Sequence, residues 1–359
     1  MSIPSPIVTL LAFAVALGVL VFVHELGHFL VAKRLGVKVL RFSIGFGPLL
    51  FARTYGETEY ALSAIPLGGY VKMLGEDDED EARVDPARAF STQPTLRRSA
   101  IVFAGPAMNF LFAFLAYLVL FGTVGAEVPS NLPRVGGVAA GSAAENAGLQ
   151  LGDRIVEIGG APIDTWEQLS QAVLGSKGAP LTFTVDRGGA RFPLEITPER
   201  KVDKNIFGEE QGYSYRIGIE ASRDWIQVGP FQAVGMAATQ TWTASAVVAK
   251  GLLLMVQGRV PLRELGGPIA IAKAAGQQAR AGIKYFLSML AFLSINLGVL
   301  NLLPIPALDG GHLALFAVER VAGPLRPRHR EIAQQVGLLL LISLMVFVFY
   351  NDIHRLVQG

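Results

Sequence analysis

An apolar segment near the start of the chain contains three ionisable side chains, His24, Glu25 and His28. Residues 7–23 carry no charge, and residues 29–32 continue the apolar run. A helix of about 20 apolar residues spans the hydrocarbon core of a bilayer. Ionisable groups at membrane depth are energetically costly and usually serve a function. The segment therefore predicts a membrane helix that carries a functional site.

His24 and His28 are four residues apart, so on a helix they lie on one face about one turn apart. Two imidazoles with this spacing can bind one Zn²⁺, and the intervening Glu25 can reach a water molecule on the metal. Metal binding also keeps both histidines neutral, which offsets part of the cost of burying them. The pattern predicts a zinc site; the alternative is a chance occurrence of the motif on an ordinary helix.

The composition is that of a membrane protein, with 51% hydrophobic residues, 17% charged residues and a mean hydropathy of +0.43. The chain has no cysteine, which excludes disulfides, thiolate ligands and a cysteine nucleophile. Any zinc is therefore bound by His, Asp or Glu, a ligand set typical of catalytic sites. A net charge of +2 and the lack of a basic stripe with interleaved aromatics predict no nucleic-acid partner.

Three further segments are apolar enough to span a bilayer, at about 100–124, 283–303 and 336–350. A weaker candidate at 231–256 is interpreted as amphipathic helices that lie at the membrane surface or pack on the bundle. The first segment lacks a basic region before its apolar run, so we expect it to be retained rather than cleaved as a signal peptide. We predict a polytopic α-helical membrane protein with about four transmembrane helices.

Two of the connecting segments carry the basic residues that we use to orient the spans. They are Lys33, Arg34, Lys38, Arg41, Arg53, Lys72, Arg83, Arg88, Arg97 and Arg98 between the first two spans, and Arg320, Arg326, Arg328 and Arg330 between the last two. The positive-inside rule places both segments in the cytoplasm and both termini outside. Residues 125–282 are then extracytoplasmic, and the histidines lie toward the cytoplasmic end of the first helix.

Residues 37–73 are rich in glycine and alternate apolar with polar side chains, which predicts a membrane-associated β-hairpin beside the first helix. The free edge of such a hairpin can bind an extended peptide by strand addition. Alternatively, the hairpin only packs against the helices. The acidic run at 76–81 is interpreted as a solvated loop, with cation binding as the alternative.

Residues 135–198 have the element order of a small β-rich domain, and their Ala-Gly-Leu and Gly-Asp-Arg-Ile sequences resemble those of a PDZ domain. The resemblance implies that a peptide or substrate tail binds there as an added strand, with its carboxylate held by backbone N–H groups. The candidate loop for this contact consists of Val135, Gly136, Gly137 and Val138. The alternative is a spacer or a steric filter.

Two histidines leave a zinc ion short of one protein ligand, for which Asp309 is the best candidate. Pro304 and Pro306 break the third span near its cytoplasmic end. Broken helices at membrane depth are tolerated where they line a cavity. The predicted topology brings Asp309 to the same side of the bilayer as His28, and His312 remains the rival ligand.

Several motifs together resemble the site-2 protease family of intramembrane zinc metalloproteases, in particular its bacterial regulator-of-sigma-E type. They are His24-Glu-Leu-Gly-His28, Pro66-Leu-Gly-Gly-Tyr-Val-Lys-Met73, Gly105-Pro-Ala-Met-Asn109, Leu265-Gly-Gly-Pro268 and the stretch from Asn301 to His312. The resemblance implies that His24, His28 and Asp309 bind zinc, that Glu25 is catalytic and that Asn301 takes part in substrate handling. The best-known enterobacterial members carry two tandem PDZ domains, whereas this sequence has room for one.

The resemblance also implies peptide hydrolysis within the bacterial inner membrane. The expected substrate is a protein with one transmembrane segment that has already been trimmed outside, such as an anti-sigma factor, or a remnant signal peptide. Asn109 and Asn301 are candidates to line a polar path for water. The rival functions are a non-catalytic PDZ membrane adaptor and a metal transporter. The second and fourth spans contain essentially no ionisable residue, which disfavours a transporter.

The expected domain organisation has four parts. They are an N-terminal membrane core at 1–124, an extracytoplasmic PDZ domain at 125–222, an amphipathic helical region at 223–282 and a C-terminal membrane core at 283–359.

Overall fold

The fold follows from apolar helices that pack through small residues, together with two separate β-rich parts. The structure is a computed structural model that describes residues 5–76, 83–205, 208–323 and 327–358. It divides into two units: the first contains the chain up to Val124 and from Gly229 onwards, and the second is Gly125–Val228. Residues 77–81 of the acidic run lie outside the described residues, so its role stays a prediction.

The helices of the described residues fall in both units. In chain order they are α1 (Ser5–Arg34), α2 (Thr95–Thr123), α3 (Ala143–Asn146), α4 (Trp166–Gly175), α5 (Pro230–Val256), α6 (Pro268–Ala281), α7 (Ile283–Asn301), α8 (Asp309–Ala322) and α9 (Pro327–Gln358), with a 3₁₀ turn at Leu262–Glu264. Among the residues that the structure describes, four helices are long and apolar enough to cross a membrane: Pro6–Arg34, Thr95–Thr123, Ile283–Asn301 and Glu331–Val357. The prediction of a polytopic protein with about four spans is confirmed.

The first two spans approach each other closely at a pair of glycines. A Cβ on Gly27 of α1 would lie 2.7 Å from the carbonyl carbon of Ala104 and 3.0 Å from the Cα of Gly105, both on α2. Backbone atoms cannot yield as a flexible side chain can, so this crossing requires glycine at position 27. The close approach places the histidine-bearing face of α1 against α2.

Two helices outside the four spans also join the first unit. The segment predicted as amphipathic is the single helix α5, which packs on α2 and α7 through small residues such as Ala237 and Ala244. Helix α6 packs on α1 and is capped by Asp352 of α9, which accepts hydrogen bonds from the N–H groups of Gly267, Ile269 and Ala270 at 2.9–3.1 Å. A carboxylate is favourable at this end of a helix because the first N–H groups lack partners within the helix.

Strands β1 (Val39–Tyr55) and β2 (Thr58–Met73) form the predicted hairpin, with Tyr55 opposite Thr58 at its turn. The sheet is more elaborate than a simple hairpin. The first part of β1, residues 39–44, pairs with residues 69–73 of β2 on one side and with residues 59–62 on the other. Residues 69–73 therefore form one edge of the sheet.

The turn of the hairpin is tied to the end of α1 by charged side chains. Glu57 lies 2.6 Å from Lys33 and accepts two hydrogen bonds from Arg88 at 2.6 and 2.7 Å. These bonds from Arg88 and Lys33 lower the pKa of Glu57 to about 2, so its carboxylate is charged at any physiological pH. The three side chains connect α1, the hairpin and the segment before α2.

The second unit is β-rich, as the sequence predicts, and its elements enclose their own apolar core. Its strands are β3 (Ala126–Pro129), β4 (Val135–Val138), β5 (Arg154–Ile158), β6 (Ala161–Pro162), β7 (Leu181–Arg187), β8 (Ala190–Ile196), β9 (Glu199–Lys204), β10 (Glu210–Arg216), β11 (Ile219–Ala221) and β12 (Arg223–Ile226). They pair antiparallel in the order β6-β5-β7-β8 and as β11-β4, β12-β3 and β10-β9. Since β12 pairs with β3, the unit continues past residue 222, where the sequence placed a domain boundary.

The candidate carboxylate-binding loop, Val135, Gly136, Gly137 and Val138, is a strand in the structure. It forms β4, which pairs with β11 through Val138 opposite Ile219. A Cβ on Gly136 would come within 2.6 Å of the backbone of Ser222, so this glycine serves close strand packing. The expectation of a loop at these residues is corrected by this long-range pairing, which local composition does not reveal.

Candidate metal centre

Three side chains from distant parts of the sequence meet inside the first unit. The Nε2 atoms of His24 and His28 lie 3.2 Å apart on α1. Asp309, the first residue of α8, places one carboxylate oxygen 3.1 Å from the first imidazole and the other 3.6 Å from the second. One ligand atom from each residue lies within 4.8 Å of the other two. The structure therefore brings together the three residues that the sequence predicts as ligands.

Both imidazoles are oriented by partners on α2. His28 donates from Nδ1 to the carbonyl oxygen of Ile101 at 2.9 Å. The Nδ1 of His24 lies 3.0 Å from the side-chain amide of Asn109, which is completely buried. These contacts leave both Nε2 atoms directed at the cluster, which is the arrangement that metal-binding histidines adopt.

The side-chain amide of Asn109 bears on the tautomer of His24. Its Oδ1 is buried and finds no hydrogen-bond partner in the described part of the chain. Rotation of the amide by 180° exchanges the positions of its oxygen and nitrogen within the same space. The turned amide accepts a hydrogen bond from a protonated Nδ1 of His24, and this tautomer leaves Nε2 free to bind a metal.

The donor set fits a divalent cation. Asp309 Oδ2 is buried and forms no hydrogen bond among the described residues, although Nε2 of His24 lies 3.1 Å away. Lone pairs of two nitrogens and one carboxylate that face one another at 3–4 Å repel unless a positive charge lies between them. Two neutral histidines and one carboxylate form a three-ligand set of the kind that zinc hydrolases use, with a further position open for water or substrate.

Gly105 makes room for both imidazoles. A Cβ at this position would collide with the ring of His28 and lie 2.9 Å from Cε1 of His24. Gly105 and Asn109 are four residues apart on α2 and so face the same side of the helix. The sequence motif that contains them gives the glycine no role, because only the packing of α2 against α1 reveals one.

Glu25 lies where the β-sheet meets α1. Its carboxylate accepts a hydrogen bond from the backbone N–H of Val71. A Cβ on Gly69 would lie 2.9 Å from Val21 and 3.2 Å from the Cγ of Glu25, so the edge of β2 passes directly beside this side chain. Sequence reasoning paired Glu25 with the histidines alone and missed the contribution of the sheet.

Two other predicted residues, Asn301 and His312, are not members of the cluster. Asn301, the last residue of α7, lies with its amide nitrogen 3.4 Å from Nε2 of His24, at the rim of the cluster. His312 lies one turn after Asp309, with its ring 6.3 Å from that of Phe316. Within the described residues, the group that can hold a metal contains Asp309 and not His312.

The two glycines that follow Asp309 allow the start of α8 to pack closely on the loop that precedes it. Side chains at Gly310 and Gly311 would collide with the backbone of the preceding loop, at Leu302–Leu303 and Ile305–Pro306 respectively. The tight turn starts α8 with Asp309 facing α1. A helix N-terminus is a favourable place for a carboxylate.

The sequence profile of peptidase family M50 matches residues 12–344. The chain belongs to peptidase family M50. It is 38% identical to a protein of Brucella suis named as a zinc metalloprotease, over 96% of this chain and 95% of that protein. It is 39% identical to a Rhizobium meliloti protein of the same description, over 97% of each chain.

A third relative is the regulator of sigma-E protease RseP of Salmonella typhimurium, with 34% identity over 97% of this chain and 98% of the relative. That alignment extends over 447 residues, so RseP carries additional sequence that this 359-residue chain lacks. Membership of family M50 makes the chain a zinc-dependent metalloendopeptidase that works within the membrane. It is a multi-pass protein of the inner membrane. These findings confirm the predicted family, enzyme class and cofactor.

Gly105→Ala places a methyl group against both imidazoles. We expect the zinc affinity of the purified protein to fall by about tenfold or more, because the rings must turn away from Asp309. Chelator competition measures this affinity. Gly122→Ala in the same helix is the matched control, since a Cβ there meets none of the described atoms within 4 Å. Equal zinc affinity in the two variants would contradict the role assigned to Gly105.

Proposed function

We propose that the cluster of His24, His28 and Asp309 is the zinc site of this M50 protease and that Glu25 is its general base. The observation that carries the proposal is the convergence of three metal-binding atoms within 4.8 Å of one another, two of them on α1, a helix of membrane-spanning length that also carries Glu25. The proposed reaction is hydrolysis of a peptide bond in a membrane-spanning segment. The proposed substrates have a single transmembrane segment, as in a pre-trimmed anti-sigma factor or a remnant signal peptide.

The chemistry divides between the metal and the side chains around it. Bound zinc supplies Lewis-acid chemistry, since it polarises a carbonyl and lowers the pKa of water. Glu25 accepts the proton of the attacking water on one carboxylate oxygen and delivers it to the departing amine. The N–H of Val71 holds this carboxylate in place. Asn301 at the rim of the cluster is positioned to donate a hydrogen bond to the substrate.

Presentation of the substrate is the second requirement, because a helix hides its carbonyl groups in its own hydrogen bonds. Residues 69–73 form an edge of the β-sheet and pass beside Glu25. We propose that the unwound substrate adds to this edge as a strand, which holds it extended. Exposed apolar residues on the neighbouring segment, Leu49, Leu50 and Phe51 at 45–67% exposure, provide a surface suited to lipid.

Replacing Glu25 with Gln removes the base and keeps the shape of the side chain. We expect cleavage of a model transmembrane substrate to fall by about 10²–10⁴-fold, the usual contribution of a general base, with zinc content unchanged. Wild-type enzyme treated with a chelator and then reloaded with zinc is the control. Full activity of Glu25→Gln would remove the assignment.

The orientation proposed for the chain has both termini and the second unit outside the cytoplasm. Its basis is the set of basic residues between the first two spans and between the last two spans, which the positive-inside rule assigns to the cytoplasm. Because the chain has no cysteine, single cysteines report sidedness cleanly. We expect a membrane-impermeant maleimide to label Gln150→Cys in intact spheroplasts and Ser91→Cys only after the membrane is opened. The reverse pattern would overturn the orientation.

A groove in the second unit supports a proposal about a peptide partner. It has a volume of about 560 Å³ and is lined by α4 and by residues 214–220. Strand β11, which pairs with β4, forms one wall, and Trp166, Leu169 and Val173 of α4 form the apolar wall opposite. We propose that this unit is a PDZ domain and that an apolar substrate tail binds as a strand beside β11, rather than at Val135–Val138.

Ser170→Arg fills this groove without touching the metal centre. We expect the affinity of the full-length protein for a peptide with an apolar C-terminus to fall by at least about tenfold, which corresponds to the loss of about 1.4 kcal/mol. Gln171→Arg, exposed on the same helix, is the matched control. Fluorescence anisotropy of a labelled peptide measures the binding. Absence of binding to the wild-type protein would favour a steric filter.

A further inference from the structure

A buried ion pair joins α2 to α8. The Nη2 of Arg98 lies 3.0 Å from the Oε2 of Glu319, and the two side chains are 10% and 4% exposed. The guanidinium also stacks over the ring of Phe316, at 4.6 Å from its centroid. The two charged residues are 221 positions apart in the sequence, so the contact depends entirely on the packing of the two helices.

The pair is a poor source of stability. Removal of two charges from water costs more than their attraction returns unless the remaining polar atoms are also satisfied. Arg98 Nε is buried and has no hydrogen-bond partner among the described residues. A well-packed apolar pair of similar volume is often as stable as a buried ion pair or more stable. A role in placing one helix on the other therefore accounts for the pair better than a role in stability.

The ion pair lies on the same face of α8 as Asp309, and on α2 it lies one turn from the residue that orients His28. Asp309, Phe316 and Glu319 are spaced by seven and three residues, which places them along one face of α8, with Glu319 about 15 Å from Asp309 along the axis. On α2, Arg98 lies one turn before Ile101, whose carbonyl holds His28. The ion pair therefore connects the helix that orients the histidines with the helix that carries Asp309.

Helix α8 needs such a connection because its N-terminal side is not continuous with α7. Residues 302–308 between the two helices have irregular backbone, and Pro304 and Pro306 prevent a regular helix there. A shift of about 1 Å at Asp309 is enough to impair a metal site, which must be held to within about 0.5 Å. A charged pair with a fixed geometry specifies both the rotation and the translation of α8.

We propose that Arg98 and Glu319 are positioning residues whose ion pair sets the register of α8 on α2 and so brings Asp309 within reach of His24 and His28. The inference rests on the proposed ligand set. Neither residue belongs to the ligand cluster. The pair acts through the helix alone.

The test compares folding with zinc affinity in the full-length protein in detergent. The double variant Arg98→Met with Glu319→Leu keeps the volume and removes both charges. We expect it to unfold at the wild-type temperature or above, while its zinc affinity, measured by chelator competition, falls 10–100-fold, as when a metal site loses its supporting contacts. The Co²⁺ absorption spectrum of the variant is expected to lose intensity. Arg97→Met, at an exposed neighbouring position, is the control for loss of charge.

Reversal of the pair, Arg98→Glu with Glu319→Arg, is expected to restore zinc affinity to within about tenfold of wild type. Wild-type zinc affinity and cleavage in the apolar double variant would overturn the proposal. If that variant does not fold, Glu319→Gln decides: reduced zinc affinity with unchanged helix content supports positioning, and unchanged affinity overturns it.

Asp309→Asn separates this inference from the proposal on which it rests. Unchanged zinc affinity in Asp309→Asn would overturn the ligand set, and the positioning role with it. Reduced affinity in Asp309→Asn, with wild-type affinity in the apolar double variant, would overturn the positioning role alone.

Discussion

Two imidazole nitrogens and a carboxylate directed at one point inside a helical bundle form the contact on which the rest of the first unit depends. Such a cluster is repulsive without a cation, and two of its three members belong to α1, a helix long and apolar enough to cross a membrane. The structure surrounds it with partners for the outer atoms, since Ile101 and Asn109 hold the far sides of the two rings. The glycines at 27 and 105 then let α1 and α2 approach closely enough for those partners to reach.

The β-sheet extends this arrangement from metal binding to catalysis. The backbone of Val71 contacts Glu25, and the edge strand that contains Val71 lies beside the cluster. The same short segment thus orients the proposed base and offers the proposed binding edge for an unwound substrate. In lipid, no water is present to form hydrogen bonds with the backbone of an extended peptide. A protease that works there therefore needs an edge that binds the peptide backbone next to its catalytic base.

The parts of the molecule that could be predicted are those with a local signal. Four apolar spans follow from hydropathy alone, and His24 and His28 follow from helical spacing. Asp309 could be predicted because two prolines break the third span on the side that the basic residues assign to the cytoplasm. The strand at Val135–Val138 could not be predicted, because its partner strand, Ile219–Ala221, lies far along the chain. The groove between α4 and residues 214–220 was not predicted for the same reason, since its walls are distant in sequence.

The sequence by itself determined the membrane helices, the pair of histidines with Glu25 between them, and the absence of thiolate chemistry, because apolar length, helical periodicity and composition are properties of short stretches. Tertiary structure alone decided that Asp309 rather than His312 meets the histidines, which backbone N–H holds Glu25 and why Gly105 cannot carry a side chain. Those choices depend on the register of one helix against another, and a shift of a few ångströms, which no local pattern encodes, separates a metal site from three unrelated side chains.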